Sequence, residues 1–424
     1  MKARLIFVSV LLMALVLTSC APAATTTPAA SEPTTAAPAP SEPTTAAPAP
    51  GDDSCAADEF GCATIPAGQT VKIGMGAPMT GDNAQFGVDI SQGAMIAVQD
   101  GGDIEGFTFQ LVVEDDGGTP EGGAAVANKL VSDPTVVAIA GHIFSGATDA
   151  AMPIYEQAGI PMMSPSATNP PLTQKGSKVF NRVAFTDEAQ GRFAAEYLYN
   201  TLGFTRIATM HDGQAYGQGL AEVVAQTFVE LGGEVVDTQA ITPNETDYTA
   251  PLAAIASQNP EALYYGGYVQ EAVVLVNQMA QSGLDDVVFF GCDGTYGADF
   301  IDRGGANAEG AYAVALVPAA SDAVTTFNTA YQEQFGAEAG SLSPYTWNAY
   351  DSAATLISAI KSVAFVNDEG SLVIPRGELV AAVRGLTDFQ GLSGMLSCDE
   401  VGECNASGPI FYQVTDGQWV AVTN

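Results

Sequence analysis

The 424-residue chain is poor in positive charge: 13 Lys and Arg stand against 48 Asp and Glu, a formal net charge of −35. So few bases cannot build the patch that a phosphate backbone demands, nor a polybasic face for anionic lipid. Histidine is almost missing. Only His142 and His211 occur, which rules out a His-rich metal site and leaves a Ser–His–Asp triad two possible centres. The six cysteines contain no Cys-x-x-Cys, against a zinc finger. No Gly-Lys dipeptide exists for a Walker A loop. Gly74-x-Gly76 lacks the third glycine of a dinucleotide fingerprint, since Met79 stands there. No Gly-x-Ser-x-Gly elbow is present. The expectation is a protein without metal or cofactor, and not an enzyme.

What is present starts with an address. Lys2 and Arg4 precede the apolar run Leu5–Leu17, too short to cross a core of ~30 Å and suited to a bacterial signal peptide. It ends Leu17-Thr18-Ser19-Cys20, a lipobox: residues 1–19 are expected to be removed and Cys20 acylated. Loss of Lys2 and Arg4 would take the charge to −35 − 2 = −37. Residues 21–50 hold 8 Pro, 11 Ala and 7 Thr and repeat one decapeptide at 31–40 and 41–50. Nothing there can form a core. The stretch 20–54 therefore reads as a tether, whose thirty Pro-rich residues could reach about 90 Å.

Cys55 with Cys62, and Cys398 with Cys404, bracket short loops, and in an oxidising compartment each pair is expected to form a local disulfide. The first would close a lead-in over 55–70. Cys292 is left over as a buried thiol.

From Val71 the pattern alternates. Val71–Ala77, Phe107–Glu114, Val136–Ala140, Arg206–Met210, Ala262–Tyr265 and Val287–Phe290 read as strands. A further short strand falls at Ile160. Gly87–Asp100, Gly122–Val131, Asp149–Gly159, Leu220–Leu231 and Glu271–Ser282 read as helices. Strands separated by helices predict an α/β protein with parallel sheets covered on both faces, and about 350 folded residues predict two of them. Sites in such sheets lie beyond the carboxyl ends of the strands. Those ends carry the hydroxyl-bearing turn Gly141–Thr148, then Ser164-Pro-Ser166-Ala-Thr168. Beyond them come His211-Asp-Gly-Gln-Ala-Tyr216-Gly, Tyr264-Tyr-Gly-Gly-Tyr268 and Phe290-Gly-Cys-Asp293-Gly. Ser145 with free N–H groups at a helix start would attract a carboxylate; as an N-cap it would serve the helix alone. Tyr216 and Tyr268 sit in Gly-flanked segments read as loops.

These motifs, in order, resemble the leucine/isoleucine/valine-binding proteins, substrate receptors of branched-chain amino acid ABC transporters. The resemblance opens with Ile73-Gly-Met-Gly-Ala-Pro-Met-Thr-Gly and Ala84-Gln-Phe-Gly. It continues through Gly141-His142, Ser164-Pro-Ser-Ala-Thr, His211-Asp-Gly-Gln-Ala-Tyr-Gly-Gln-Gly-Leu and Tyr264-Tyr-Gly-Gly-Tyr to Trp347-Asn-Ala-Tyr, so that it covers residues 71–424. It implies the type I periplasmic binding protein fold: two doubly wound lobes, 71–186 with 319–405 and 187–318 with 406–424, joined by a three-strand hinge. It implies that Ser145 and Thr168 hold a ligand carboxylate, with main-chain help from Ser166, and that Asp293 pairs with the ammonium. Tyr216 and Tyr268 would add hydroxyl and ring contacts, while Phe86 and Tyr345 wall the side-chain pocket. Phe86 stands where these receptors carry tyrosine, and Asp293 where they carry glutamate. No Lys or Arg falls among these positions, which favours a neutral amino acid, and with the resemblance a branched-chain or other apolar one.

The implied partners are that ligand, the permease subunits of an importer and, through the lipid anchor, the outer face of the cytoplasmic membrane or the periplasm; the chain would act as a monomer. The rival reading keeps the fold and binds an amide, urea-like or aromatic solute for sensing. A hydrolase would need catalytic geometry around Ser145 or Cys292.

Overall fold

The computed structural model describes residues 52–404 and 408–422. The signal segment, Cys20 and most of the tether lie outside the described residues; the tether's last residues, 52–54, belong to a short helix, Asp52–Ala57.

Two sheets carry the fold. The first runs in the order Asp103–Ile104, Phe107–Asp115, Val71–Ala77, Val136–Ile139, Met162–Ser164 and Phe180–Arg182, parallel apart from its first edge strand. Its central strand, Val71–Ala77, is buried at Val71, Ile73 and Met75 on one face and at Gly74 and Gly76 on the other. Such two-sided burial is what a parallel sheet covered by helices requires. Gly76 is needed there because a methyl group on it would lie 2.1 Å from the His142 ring. The glycines that failed as a dinucleotide fingerprint are thus packing glycines.

The second sheet runs Glu234–Ala240, Arg206–His211, Ala262–Gly266, Val288–Phe290, Tyr312–Ala315, Ile410–Thr415 and Gln418–Ala421. Its first five strands are parallel and its last two antiparallel. Both sheets are therefore mixed, where the sequence pattern predicts parallel ones. At this edge the chain's return lays Ile410–Thr415 antiparallel to Tyr312–Ala315, and a two-residue turn, Asp416 and Gly417 with φ of 53° and 70°, adds the last strand as a hairpin.

The chain passes between the sheets three times. It leaves the first after Arg182 and leaves the second after Ala315. The helix Thr346–Val363 then packs on Ala84–Asp100, beside the first sheet, so closely that a methyl group on Gly93 would meet the Thr346 carbonyl at 2.4 Å. The chain returns to the second sheet at Ile410.

Helix starts run earlier than hydrophobic spacing suggests: Ala84–Asp100, Pro120–Val131 and Ala215–Glu230 begin in polar or Gly-rich segments. The helix expected at Asp149–Gly159 spans Ser145–Ala158, and Gly159 in the left-handed region ends it. Pro153 consequently sits in its interior, on the exposed side, where the carbonyl it leaves unpaired can face water. The strand expected at Ile160 lies at Met162–Ser164.

Disulfides join Cys55 to Cys62 and Cys398 to Cys404. The lead-in is more than a loop. Cys62–Ile65 pairs antiparallel with Leu372–Pro375, and the Asp58 carboxylate accepts from Gly377 N–H at the start of the helix Arg376–Arg384.

Candidate functional site

In each sheet the strand order reverses at one place, between Val71–Ala77 and Val136–Ile139 in the first and between Arg206–His211 and Ala262–Gly266 in the second. Crevices open at such points, beyond the carboxyl ends. The loops leaving them meet around one small cavity. It is lined by Phe86, Ile143, Phe144, Ser145 and Ser166 from the first sheet and by Tyr216, Tyr268, Asp293 and Gly294 from the second, with Tyr345 from the later crossing.

One part of the cavity wall is a helix start. Ser145 is the first residue of its helix; Phe144, extended, is the cap, so the N-cap alternative for Ser145 does not hold. The leading N–H groups of a helix have no partner within it. The Ser145 hydroxyl accepts from Asn169 N–H at 3.3 Å, and Ser166 donates to the Ile143 carbonyl at 2.8 Å. The turn carrying Ser166 and Thr168 is pinned from beneath. Buried Arg182 donates to the carbonyls of Ala167 and Asn169, each at 2.9 Å, and pairs with Glu403. Thr168 itself does not line the cavity; its buried hydroxyl makes no hydrogen bond of good geometry and acts on the Asp187 carboxyl.

Another part is acidic. Asp293 is buried and accepts from Gln190 Nε2, the Tyr216 hydroxyl and the Tyr345 hydroxyl, each at 2.6 Å. Burial pushes its carboxyl up in spite of those three donors. Asp187, at the start of the helix Asp187–Glu196, is also fully buried and lies outside the cavity lining; neither oxygen makes a hydrogen bond of good geometry, although the Thr168 hydroxyl and the Arg182 charge act to lower its carboxyl. Burial, then the charge of Asp293, holds its carboxyl well above the usual range. Two carboxyl groups side by side in a water-poor site favour a shared proton. An ammonium group would supply the missing donors and let both ionise.

The walls are aromatic. Phe144 stacks on Tyr268 with ring centroids 4.2 Å apart and 16° between planes, and Phe86 meets both edge-on at 5.7 and 6.1 Å. Tyr216 lies 5.2 Å from Tyr268. Neither tyrosine sits in a free loop: Tyr216 is in the first turn of Ala215–Glu230 and Tyr268 caps Val269–Met279. Asn169 Nδ2 donates to the Ala215 carbonyl at 2.7 Å, tying the first-sheet turn to a second-sheet helix.

The geometry a hydrolase would need is not assembled. His142 bonds Asp116 at 2.7 Å and Tyr155 at 3.0 Å, and the ring touches no serine. His211 accepts from Gly213 N–H. The Cys292 thiol is buried, accepts from Tyr216 and donates to the Gly267 carbonyl. Burial and the Asp293 charge push it well up, the wrong direction for a nucleophile. Among the described residues, no group of three or more His, Cys, Asp or Glu converges to hold a metal.

Seven of the eight ligand residues expected from sequence line this cavity; sequence reasoning misses Phe144 in the lining, and Gln190 and Asp187, which act on Asp293 from outside it. Asp187 hides behind a helix-start pattern, since Thr186 caps through Ala189 N–H and acids are ordinary in a first turn.

Residues 70–418 match the periplasmic binding protein family. An amino acid binding protein of Pseudomonas aeruginosa is 37% identical over 217 residues, 50% of this chain and 58% of that protein, so the chain spans little more than half of that relative. A Leu/Ile/Val-binding protein homologue of Brucella suis is 32% identical over 82% of this chain and 91% of its own length. The crystal structure of a leucine-binding protein, LivK, from Thermotoga maritima superposes with a TM-score of 0.76 at 29% identity, covering 84% of this chain and 98% of that one. The chain belongs to the periplasmic binding protein family, has its type I fold, and is similar within it to the leucine/isoleucine/valine receptors, which bind solutes and are not enzymes.

Proposed function

We propose that the protein binds a neutral, apolar α-amino acid between two lobes and hands it to an ABC importer. The observation that carries this is one cavity lined both by the Ser145 helix start and by the buried Asp293 carboxyl, whose charge acts on a second buried carboxyl, Asp187. An anion site and a cation site at the two ends of one cavity match the two charges of an α-amino acid. No Lys or Arg lines the cavity, so a second carboxylate on the ligand would meet no partner. The ligands named for its relatives, leucine and its branched neighbours, are of this class.

Ser145, with Ser166 and the helix start, takes the carboxylate; Thr168 bridges toward Asp187. Asp187 and Asp293 take the ammonium. Tyr216 and Tyr268 close from the second sheet, while Phe86 and Tyr345 shape the side-chain end. The lobes are 71–186 with 319–405 and 187–318 with 406–424. A ligand bonded to both biases an open–closed equilibrium toward the closed form, which the permease reads. Acylation of Cys20 and the Pro-rich tether would hold the receptor outside the cytoplasmic membrane as a monomer. Among the described residues no helix is long and apolar enough to cross a membrane.

Thermal melting of the purified protein against the twenty amino acids, urea, short amides and benzoate tests this. A ligand that binds only the folded form adds about 2.7 kcal/mol at a hundredfold excess over Kd. Stabilisation by neutral amino acids is expected. Stabilisation by an amide or an aromatic acid alone would overturn the ligand and favour the sensory reading.

A further inference from the structure

Phe144 stands between two spaces. On one side is the ligand cavity, about 20 Å³, room for roughly one water molecule, so its walls must part to admit any amino acid. On the other is an outer cavity of about 360 Å³, lined among others by Thr80, Asn83, Gly117, Gln214, Asn244 and Glu271. The Phe144 ring is the wall common to both.

One edge of that wall is backed by main chain. A methyl group placed on Gly118 would lie 2.7 Å from the ring, so the turn Gly117–Gly118 backs it directly. The turn is itself fixed: Gly117 N–H donates to Asp115 at 3.0 Å and Gly118 N–H to Asp116 at 2.9 Å. Phe144 is the cap residue of the helix whose first turn forms the anion end, so its backbone cannot shift without moving that end. Across the cavity the ring stacks on Tyr268, which belongs to the other sheet.

With carboxylate and ammonium held at opposite ends, the ligand side chain points along the aromatic wall. Each added carbon must then push Tyr268 away from Phe144, which separates the two sheets and opposes closure. We propose that Phe144 is a specificity-determining residue that restricts the ligand to small side chains, those of glycine, alanine and serine, over leucine, isoleucine and phenylalanine. This rests on the amino-acid reading above, keeps its neutral α-amino acid and moves the side chain from branched apolar to small. Removing the ring would join the inner cavity to the outer one and give a long side chain somewhere to go.

Isothermal titration of the full chain, of Phe144→Ala and of Phe144→Leu with glycine, alanine, serine, leucine and phenylalanine tests this. The unaltered protein is expected to bind alanine at least tenfold tighter than leucine, the scale on which apolar pockets discriminate by size. Phe144→Ala is expected to shift the alanine-to-leucine ratio at least tenfold toward leucine. Phe144→Leu, which keeps an apolar side chain against Gly118, is expected to shift it the same way by a smaller factor, and decides the matter if the alanine variant does not melt cooperatively. Leucine binding as tightly as alanine to the unaltered protein would overturn the size filter and leave the amino-acid reading standing. An unchanged ratio in the folded variants would do the same. Binding of none of the five would overturn the amino-acid reading, and the filter with it.

Discussion

Asp89 and Asp187 are both fully buried carboxyl groups on helices, and the molecule treats them in opposite ways. Asp89 lies between the helices Ala84–Asp100, Asp322–Phe335 and Thr346–Val363. It accepts from the hydroxyls of Tyr331 at 2.7 Å, Ser343 at 2.6 Å and Thr346 at 2.7 Å. Burial raises it to about 6 in spite of those donors. Asp187 suffers the same burial, adds the repulsion of Asp293, and has only the Thr168 hydroxyl, out of good hydrogen-bond geometry, against the three donors of Asp89. A buried acid whose donors are supplied by its own chain fastens the fold. One whose donors are missing is destabilising until something outside supplies them, and so reports a binding site.

The largest expected effect tests that division at the site. Asp187→Asn removes a buried charge while keeping its shape, so the protein should melt no lower than the unaltered chain. Amino-acid affinity should fall by about 2 to 5 kcal/mol, the scale for truncating one partner of a desolvated charge pair, read by titration calorimetry. Undiminished affinity would mean that the ammonium rests elsewhere, and the comparison would fail. Asp293→Ala sharpens it, because Asp293 belongs to both classes. It should lose binding too, but also lose stability, since Gln190, Tyr216 and Tyr345 all give up their acceptor.

Next in size is Asp89→Ala. Three hydroxyl donors lose a common acceptor inside a closed core, which should cost about 2 to 3 kcal/mol in chemical denaturation. The alanine-to-leucine preference should remain as in the unaltered chain. A variant as stable as the original would show that Asp89 is no better satisfied than Asp187.

This contrast also marks what a sequence can show. Alternating strands and helices were visible because each is written locally, in apolar spacing and strand-end glycines. The site turns were visible because hydroxyl and aromatic residues cluster at strand ends, where the topology of such sheets places ligands. Asp89 was invisible: it stands among apolar neighbours on the helix face, and Tyr331 lies 242 residues away. Asp187 was masked by a sound local reading, a capped helix with acids in its first turn. Phe144 was read only as one residue of a hydroxyl-bearing turn, because its stacking partner comes from the other sheet. The Asp416-Gly417 hairpin is legible, as Asp-Gly between strand-like segments is a strong turn signal.

The smallest effect is one of pH, and it separates the two kinds of acid by sign. Burial raises Asp89 and Asp351 to about 6 and Asp212 to about 7. A carboxyl whose folded value exceeds its unfolded value of roughly 4 binds its proton more tightly when folded. The penalty of ionising it in place is full above about pH 7, shrinks as pH falls through 7 and 6, and is gone near 4. Asp115, Asp133 and Glu261 are shifted down, mainly by the donors around them, and give stability that is present above their unfolded values and lost only as pH falls below about 4. Melting temperature should therefore rise by roughly 5 °C between pH 8 and pH 5 and fall again below pH 4. Ligand affinity should move the other way. Asp187 and Asp293 are raised in the empty site, and an ammonium favours their ionised forms, so binding releases a proton and weakens on acidification by up to about tenfold per pH unit below their values. Asp89→Asn divides the two responses. It should flatten part of the stability curve and leave the pH slope of affinity unchanged. A slope that flattened with it would place Asp89 and the site in one titrating unit.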